Sequence, residues 1–122
     1  VKEHAAAIIP QIRAATIFIQ QYGGAPVKLA VLPEYLFTSY PGRIGIREFA
    51  EQVAFDIDGP EYEAIAAIAQ QLKIFIAGNA YERDKNFPGL YFQASFAIAP
   101  SGDTVLRYRR LNSMFAPTPH DV

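Results

Sequence analysis

Residues 27–32 (VKLAVL) stand between Pro26 and Pro33 and contain one charged side chain, Lys28. A run this short, closed by two residues that cannot donate to a backbone ladder, suits a strand better than a helix. Because it is almost wholly apolar, it predicts a strand covered on both faces, as in a sheet with helices packed over it. The rest of the chain must then supply those helices and the neighbouring strands.

It supplies them in order. Residues 2–22 set Ile8, Ile12, Ala15 and Ile19 on one helical face before Gly23 and Gly24. Pro10 either opens the regular part of that helix or kinks it. Residues 38–49 carry Pro41, Gly42 and Gly45 without a clean period, which predicts a loop with a short helix after Ile46. Pro60 suits a first helical position, Glu61 and Glu63 the positive end of the dipole, and Lys73 the other end. Between them Tyr62, Ile65, Ile68, Ala69 and Leu72 form a helical stripe. Residues 74–77 make a second buried strand, followed by Gly78 and a polar loop at 82–89. Residues 90–99 and 104–109 are two further strands, joined at Pro100-Ser-Gly-Asp103 as an antiparallel hairpin. Helix, strand, helix and three strands predict a mixed sheet in an α/β or layered α+β domain.

Composition narrows the function. The 122 residues are 51% hydrophobic, which suits one modest packed domain. Eleven Lys and Arg against twelve Asp and Glu leave no field to gather a polyanion, so no nucleic-acid partner is expected. Without cysteine there is no disulfide or thiolate metal site, and His4 and His120 lie at opposite ends outside any ligand-spaced cluster. No metal or cofactor is expected. The apolar runs are far shorter than the roughly 20 residues that span a bilayer, so the expectation is a soluble, cytoplasmic protein without a membrane partner. Beginning with Val1 and ending at residues 118–122 without a closing element, the chain reads as part of a longer one.

Two strand ends carry candidate chemistry. Glu34, in Leu32-Pro-Glu-Tyr35, follows the first strand where open α/β sheets form ligand crevices, and partial burial would make it a better base. Position alone leaves open a solvated loop residue or a cap on the next helix. Residues 107–110 (RYRR) can bind a carboxylate or phosphate, or can protect an edge strand with charge. Alternation sets Arg107 and Arg109 on one face and Tyr108 and Arg110 on the other. No GxGxxG, P-loop or GxSxG elbow is present.

In order along the chain, residues 27–34, Thr38-Ser-Tyr40, Gly59-Pro60, residues 76–83 (IAGNAYER), residues 92–98 with Pro100-Ser-Gly102, and residues 106–112 (LRYRRLN) resemble the N-terminal half of the nitrilase, or carbon–nitrogen hydrolase, superfamily. The resemblance implies an αββα sandwich, with residues 1–122 a partial domain that lacks the first strand and the C-terminal half. It implies a Glu, Lys and Cys triad that hydrolyses a small amide or nitrile through a thioester acyl-enzyme, without metal or cofactor. By position Glu34 is the general base, and Arg110 stands where the family has its lysine. Arginine keeps the charge but is effectively never deprotonated, and it can grip Glu34 in a two-pronged pair. Gln93 stands for a usual Asn and Ser39 for a usual Gly, departures assigned to packing and loop support. The nucleophilic cysteine would lie beyond residue 122, so the fragment alone is expected to be inactive. A homo-oligomer is also implied, and a four-strand sheet with helices on one side independently leaves apolar area exposed unless another half-domain or subunit covers it. The alternatives are a non-catalytic relative that binds or assembles, and acyl transfer to an amine. His120, in the Pro-rich tail, reads either as a substrate contact or as a structural hydrogen-bonding residue.

Overall fold

The computed structural model describes residues 2–38 and 44–111, with side-chain environments from residue 6 onward. The first helix, α1 (Lys2–Tyr22), runs continuously through Pro10. Its inward face is Ile8, Ile9, Ile12 and buried Thr16, so the expected stripe is correct only in its first half. Ile17, Phe18, Ile19 and Tyr22 are exposed. Gly23 N–H bonds to Ile19 O at 2.7 Å, and Gly24 at φ 69° turns the chain out of the helix.

The proline-walled run forms β1 (Leu29–Val31), parallel to β3 (Phe75–Arg83) with Ala30 opposite Ile76. Expected coverage on both faces is not found among the described residues: Leu29 is 53% and Val31 69% exposed, while Ala30 turns toward the core. The physical reason is that α1 and α3 (Pro60–Leu72) pack on one face of the sheet only. The short helix after Ile46 is α2 (Ile46–Gln52), which packs Phe49 against Tyr81 and Tyr91 at the far end of β3. A two-residue strand not foreseen from sequence, β2 (Phe55–Asp56), lies parallel to β3 with Phe55 opposite Glu82.

In α3 the proline sits in the first turn, Glu61 and Glu63 follow it, and Tyr62, Ile65, Ile68 and Ala69 are buried as the stripe requires. Lys73 takes a left-handed cap at φ 55° and donates its N–H to Gln70 O at 3.3 Å. The strand after it is more than twice as long as expected. Gly78 does not end β3: it faces Phe96 across the ladder, and a Cβ there would lie 2.8 Å from the ring. The missing side chain thus leaves room for the tip of the ring. β4 (Phe92–Ile98) and β5 (Thr104–Arg109) form the antiparallel hairpin around Gly102 at φ 91°.

The sheet order is β1-β3-β4-β5, with β2 also on β3. Both parallel and antiparallel pairs occur, so the layered, mixed-sheet architecture is as expected. The core between helices and sheet is Phe37, Phe55, Ile65, Ile74, Ile76, Phe96 and Ile98 with their neighbours. Each such side chain contributes about 1.5–3 kcal/mol of burial. Among the described residues no helix is long and apolar enough to cross a membrane, and no group of three or more His, Cys, Asp and Glu is placed to hold a metal.

Candidate active site

The two predicted site residues sit at the ends of β1 and β5, on the side of the sheet away from α1 and α3. Leu32 N–H still bonds to Ala77 O at 2.8 Å, after which Pro33 ends the ladder and the chain turns. Glu34 opens that turn. Tyr35 follows in the left-handed region at φ 62°, uncommon for an aromatic residue, which reverses the chain just past the carboxylate. The turn is fixed at two further points. Tyr35 stacks on Tyr81 with ring centres 6.1 Å apart, and Tyr81 N–H bonds to the Oγ1 of buried Thr38 at 3.2 Å.

Glu34 is exposed, so the expected partial burial is not met among the described residues. Its carboxylate accepts from Gln93 Nε2. On the other side Arg110 Nη1 donates to Gln93 Oε1 at 2.8 Å, and Arg110 N–H bonds to Gln93 O at 2.8 Å. Among the described residues no ion pair joins Glu34 to Arg110. In place of the two-pronged grip that an arginine can make there is a relay, carboxylate to carboxamide to guanidinium. The two positions singled out as departures, Gln93 and Arg110, are in direct contact, and Gln93 is more than packing support.

These groups edge a depression of about 650 Å³ over β3, β4 and β5, where Asn79, Ser95 and Tyr108 join them. The Oδ1 of Asn79 is buried there with no hydrogen-bond partner among the described residues. Tyr81, stacked on Tyr35, has its phenol pushed above the ordinary range by burial first, then by Tyr35, Tyr91 and the Glu34 charge. The wall thus pairs one acceptor-only group with one donor-only group across apolar strand surface. That can hold a small polar molecule and bring opposite charges to it.

On the opposite face the alternation of β5 also holds, but its partner was not foreseen. Arg107 Nε lies 3.1 Å and Arg109 Nε 3.9 Å from the carboxylate of Glu82, which is fully buried and also accepts from Tyr62 Oη. Burial, followed by the Glu82 charge, raises the Tyr62 phenol well above its usual range. Arg109 Nη2 also reaches Asp84 at 2.9 Å, and its guanidinium lies 3.9 Å from the Phe92 ring centre. On a strand that ends the sheet, these two arginines thus also pair with a buried carboxylate. Glu82 was read as the start of a polar loop; the available signal was its phase with Ile76, Gly78 and Ala80.

Ser39, Tyr40 and the remaining candidate, His120, lie outside the described residues.

The carbon-nitrogen hydrolase family model matches residues 4–121. A formamidase of Helicobacter acinonychis (strain Sheeba) is 27% identical over 96 residues, 79% of this chain and 28% of the relative. The chain thus spans under a third of that relative's length. A solved N-terminal amidase superposes with a TM-score of 0.66 at 15% identity over 87% of this chain and 24% of the amidase. A carbon-nitrogen hydrolase from Helicobacter pylori G27 gives 0.57 at 18% identity over 91% and 35%. An amidase from Nesterenkonia sp. AN1, solved as a double mutant with acrylamide, gives 0.58 at 15% identity over 89% and 38%. These structures share the fold.

Proposed function

The chain belongs to the carbon-nitrogen hydrolase family, and from that premise we propose that Glu34 and Arg110 are two working groups of a site that hydrolyses a small amide or nitrile. The observation that supports this most is the Glu34, Gln93 and Arg110 relay at the rim of one depression. The third group is a cysteine thiol, which the 122 residues do not contain, so a longer protein supplies it and the chain alone does not turn over.

For an amide, Glu34 takes the thiol proton as sulfur attacks the carbonyl carbon. Arg110 donates to the oxygen that becomes negative. The tetrahedral species collapses with the C–N bond breaking, and the proton on Glu34 passes to nitrogen, which leaves as ammonia or an amine. A thioester remains. Water then attacks it, Glu34 taking the water proton, and the acid departs as sulfur recovers its proton. Arginine serves the charge-stabilising half of a lysine's role without releasing a proton.

The full-length protein is expected to release ammonia from short aliphatic amides, formamide and acrylamide among them. A covalent acyl adduct should appear by mass spectrometry when the reaction is quenched within a turnover. Binding of the same amides without ammonia or adduct would favour the alternative, a binding or assembly protein on this fold. Adduct passed to an added amine faster than to water would make it an acyltransferase.

Self-association is proposed on the same footing. Leu29, Val31, Leu106 and Tyr108 leave the sheet face away from α1 and α3 exposed, and Ile17, Phe18 and Tyr22 do the same on α1. Sedimentation of the full-length protein should give a dimer or a larger assembly, and a monomer at tens of micromolar would refute it.

A further inference from the structure

Gln93 lies on β4 at the rim of the depression, with one partner from the turn after β1 and the other from the residue after β5. Its orientation is forced by chemistry. A carboxylate only accepts and a guanidinium only donates, so Nε2 must face Glu34 and Oε1 must face Arg110. One carboxamide therefore satisfies both ions and occupies the space in which they would meet. Arg110 is further held by its own backbone bond to Gln93 O at 2.8 Å, so its guanidinium starts from a fixed root.

We propose that Gln93 is a positioning residue, a neutral spacer that keeps the Arg110 guanidinium off the Glu34 carboxylate. Glu34 then stays available to take a proton, and Arg110 stays available to meet developing negative charge. This rests on the reading of Glu34 as general base. In a direct pair each ion would spend its hydrogen-bonding capacity on the other, and the carboxylate would be the poorer base. The other titratable groups facing Glu34 from the described elements are phenols: Tyr81 of β3, Tyr35 of the same turn, and Tyr108 across the depression on β5. Among the described residues of this wall Arg110 is the cation.

Two variants of the full-length protein separate a spacer from a simple donor. Gln93→Ala removes both side-chain hydrogen bonds and the bulk between the ions and lets Arg110 close on Glu34, so the acid limb of kcat/KM should move to lower pH by about one unit or more. kcat should fall on the order of tenfold with little change in KM. Gln93→Glu sets a second carboxylate beside the first, and the acid limb should move the other way. The carboxyl titration of Glu34, followed by carbon-13 NMR, reads the same shifts in a variant too slow to assay. Opposite displacements support the spacer. Upward displacement in both would make Gln93 only a hydrogen-bond donor, and none in either would give it no part in setting Glu34; both overturn the proposal. Glu34→Gln keeps the two tests apart: if it retains turnover the base reading falls, whatever the NMR titrations show.

Discussion

Glu34→Gln is expected to lower kcat/KM of the full-length protein on the order of 10²–10⁴-fold while leaving its unfolding midpoint unchanged. At about 1.36 kcal/mol per tenfold, that is roughly 2.7–5.4 kcal/mol of transition-state stabilisation. The fold should be indifferent for a local reason. Glu34 is exposed at the first position of a turn, its hydrogen-bond partner is Gln93, and an amide oxygen accepts from Gln93 Nε2 as a carboxylate oxygen does. What the amide cannot do is take a proton from a thiol or from water. The loss should therefore fall on kcat and kcat/KM alike, with KM for the amide little moved, as when an interaction made only in the transition state is removed. Quenched-flow detection of the acyl adduct places the loss in the first chemical step. Wild-type kinetics in this variant would end the assignment of Glu34 as base.

How far the sequence disclosed this site depends on whether each residue's partner was near in the chain. α3 was legible because Pro60, Glu61, Glu63 and the apolar stripe all act within the helix itself. The hairpin was legible because its turn lies between its own strands. The strand-end positions of Glu34 and Arg110 followed from such local patterns, and their roles from a family resemblance. The relay did not follow, because Gln93 lies 59 residues from Glu34 and only the pairing of β1, β3, β4 and β5 brings them together. Glu82 was hidden in the same way: in sequence it opens a charged stretch, and in space Tyr62 and Arg107 make it a core residue. β2 is two residues long and has no alternation to read. The exposed faces of Leu29 and Val31 show the limit of an apolar run as a signal, since it marks a surface suited to cover without naming the cover.

That buried carboxylate carries the other large expected effect. Glu82 is fully buried, whereas the side chains of Arg107 and Arg109 keep 26% and 23% of their surface in solvent. The partners are therefore unequal when one is removed. Arg107→Ala takes away the nearer cation, 3.1 Å from Glu82, and leaves the anion with Tyr62 Oη and a more distant Arg109. An uncompensated buried charge costs about 3–5 kcal/mol, and the remaining Arg109 sets the expectation near the lower end. Glu82→Gln removes the charge instead, keeps an acceptor for Tyr62, and leaves two arginines that can turn to water. It should cost clearly less, about 1–2 kcal/mol. Combined, the two changes should cost less than their sum, because the charge that Arg107→Ala strands is gone. Because the pair is mostly withdrawn from solvent, 0.5 M salt should leave this order intact. Urea unfolding of the full-length protein and its three variants measures all of this. Equal costs for the two single variants, or a larger one for Glu82→Gln, would show that the arginines rather than the buried carboxylate need the pairing.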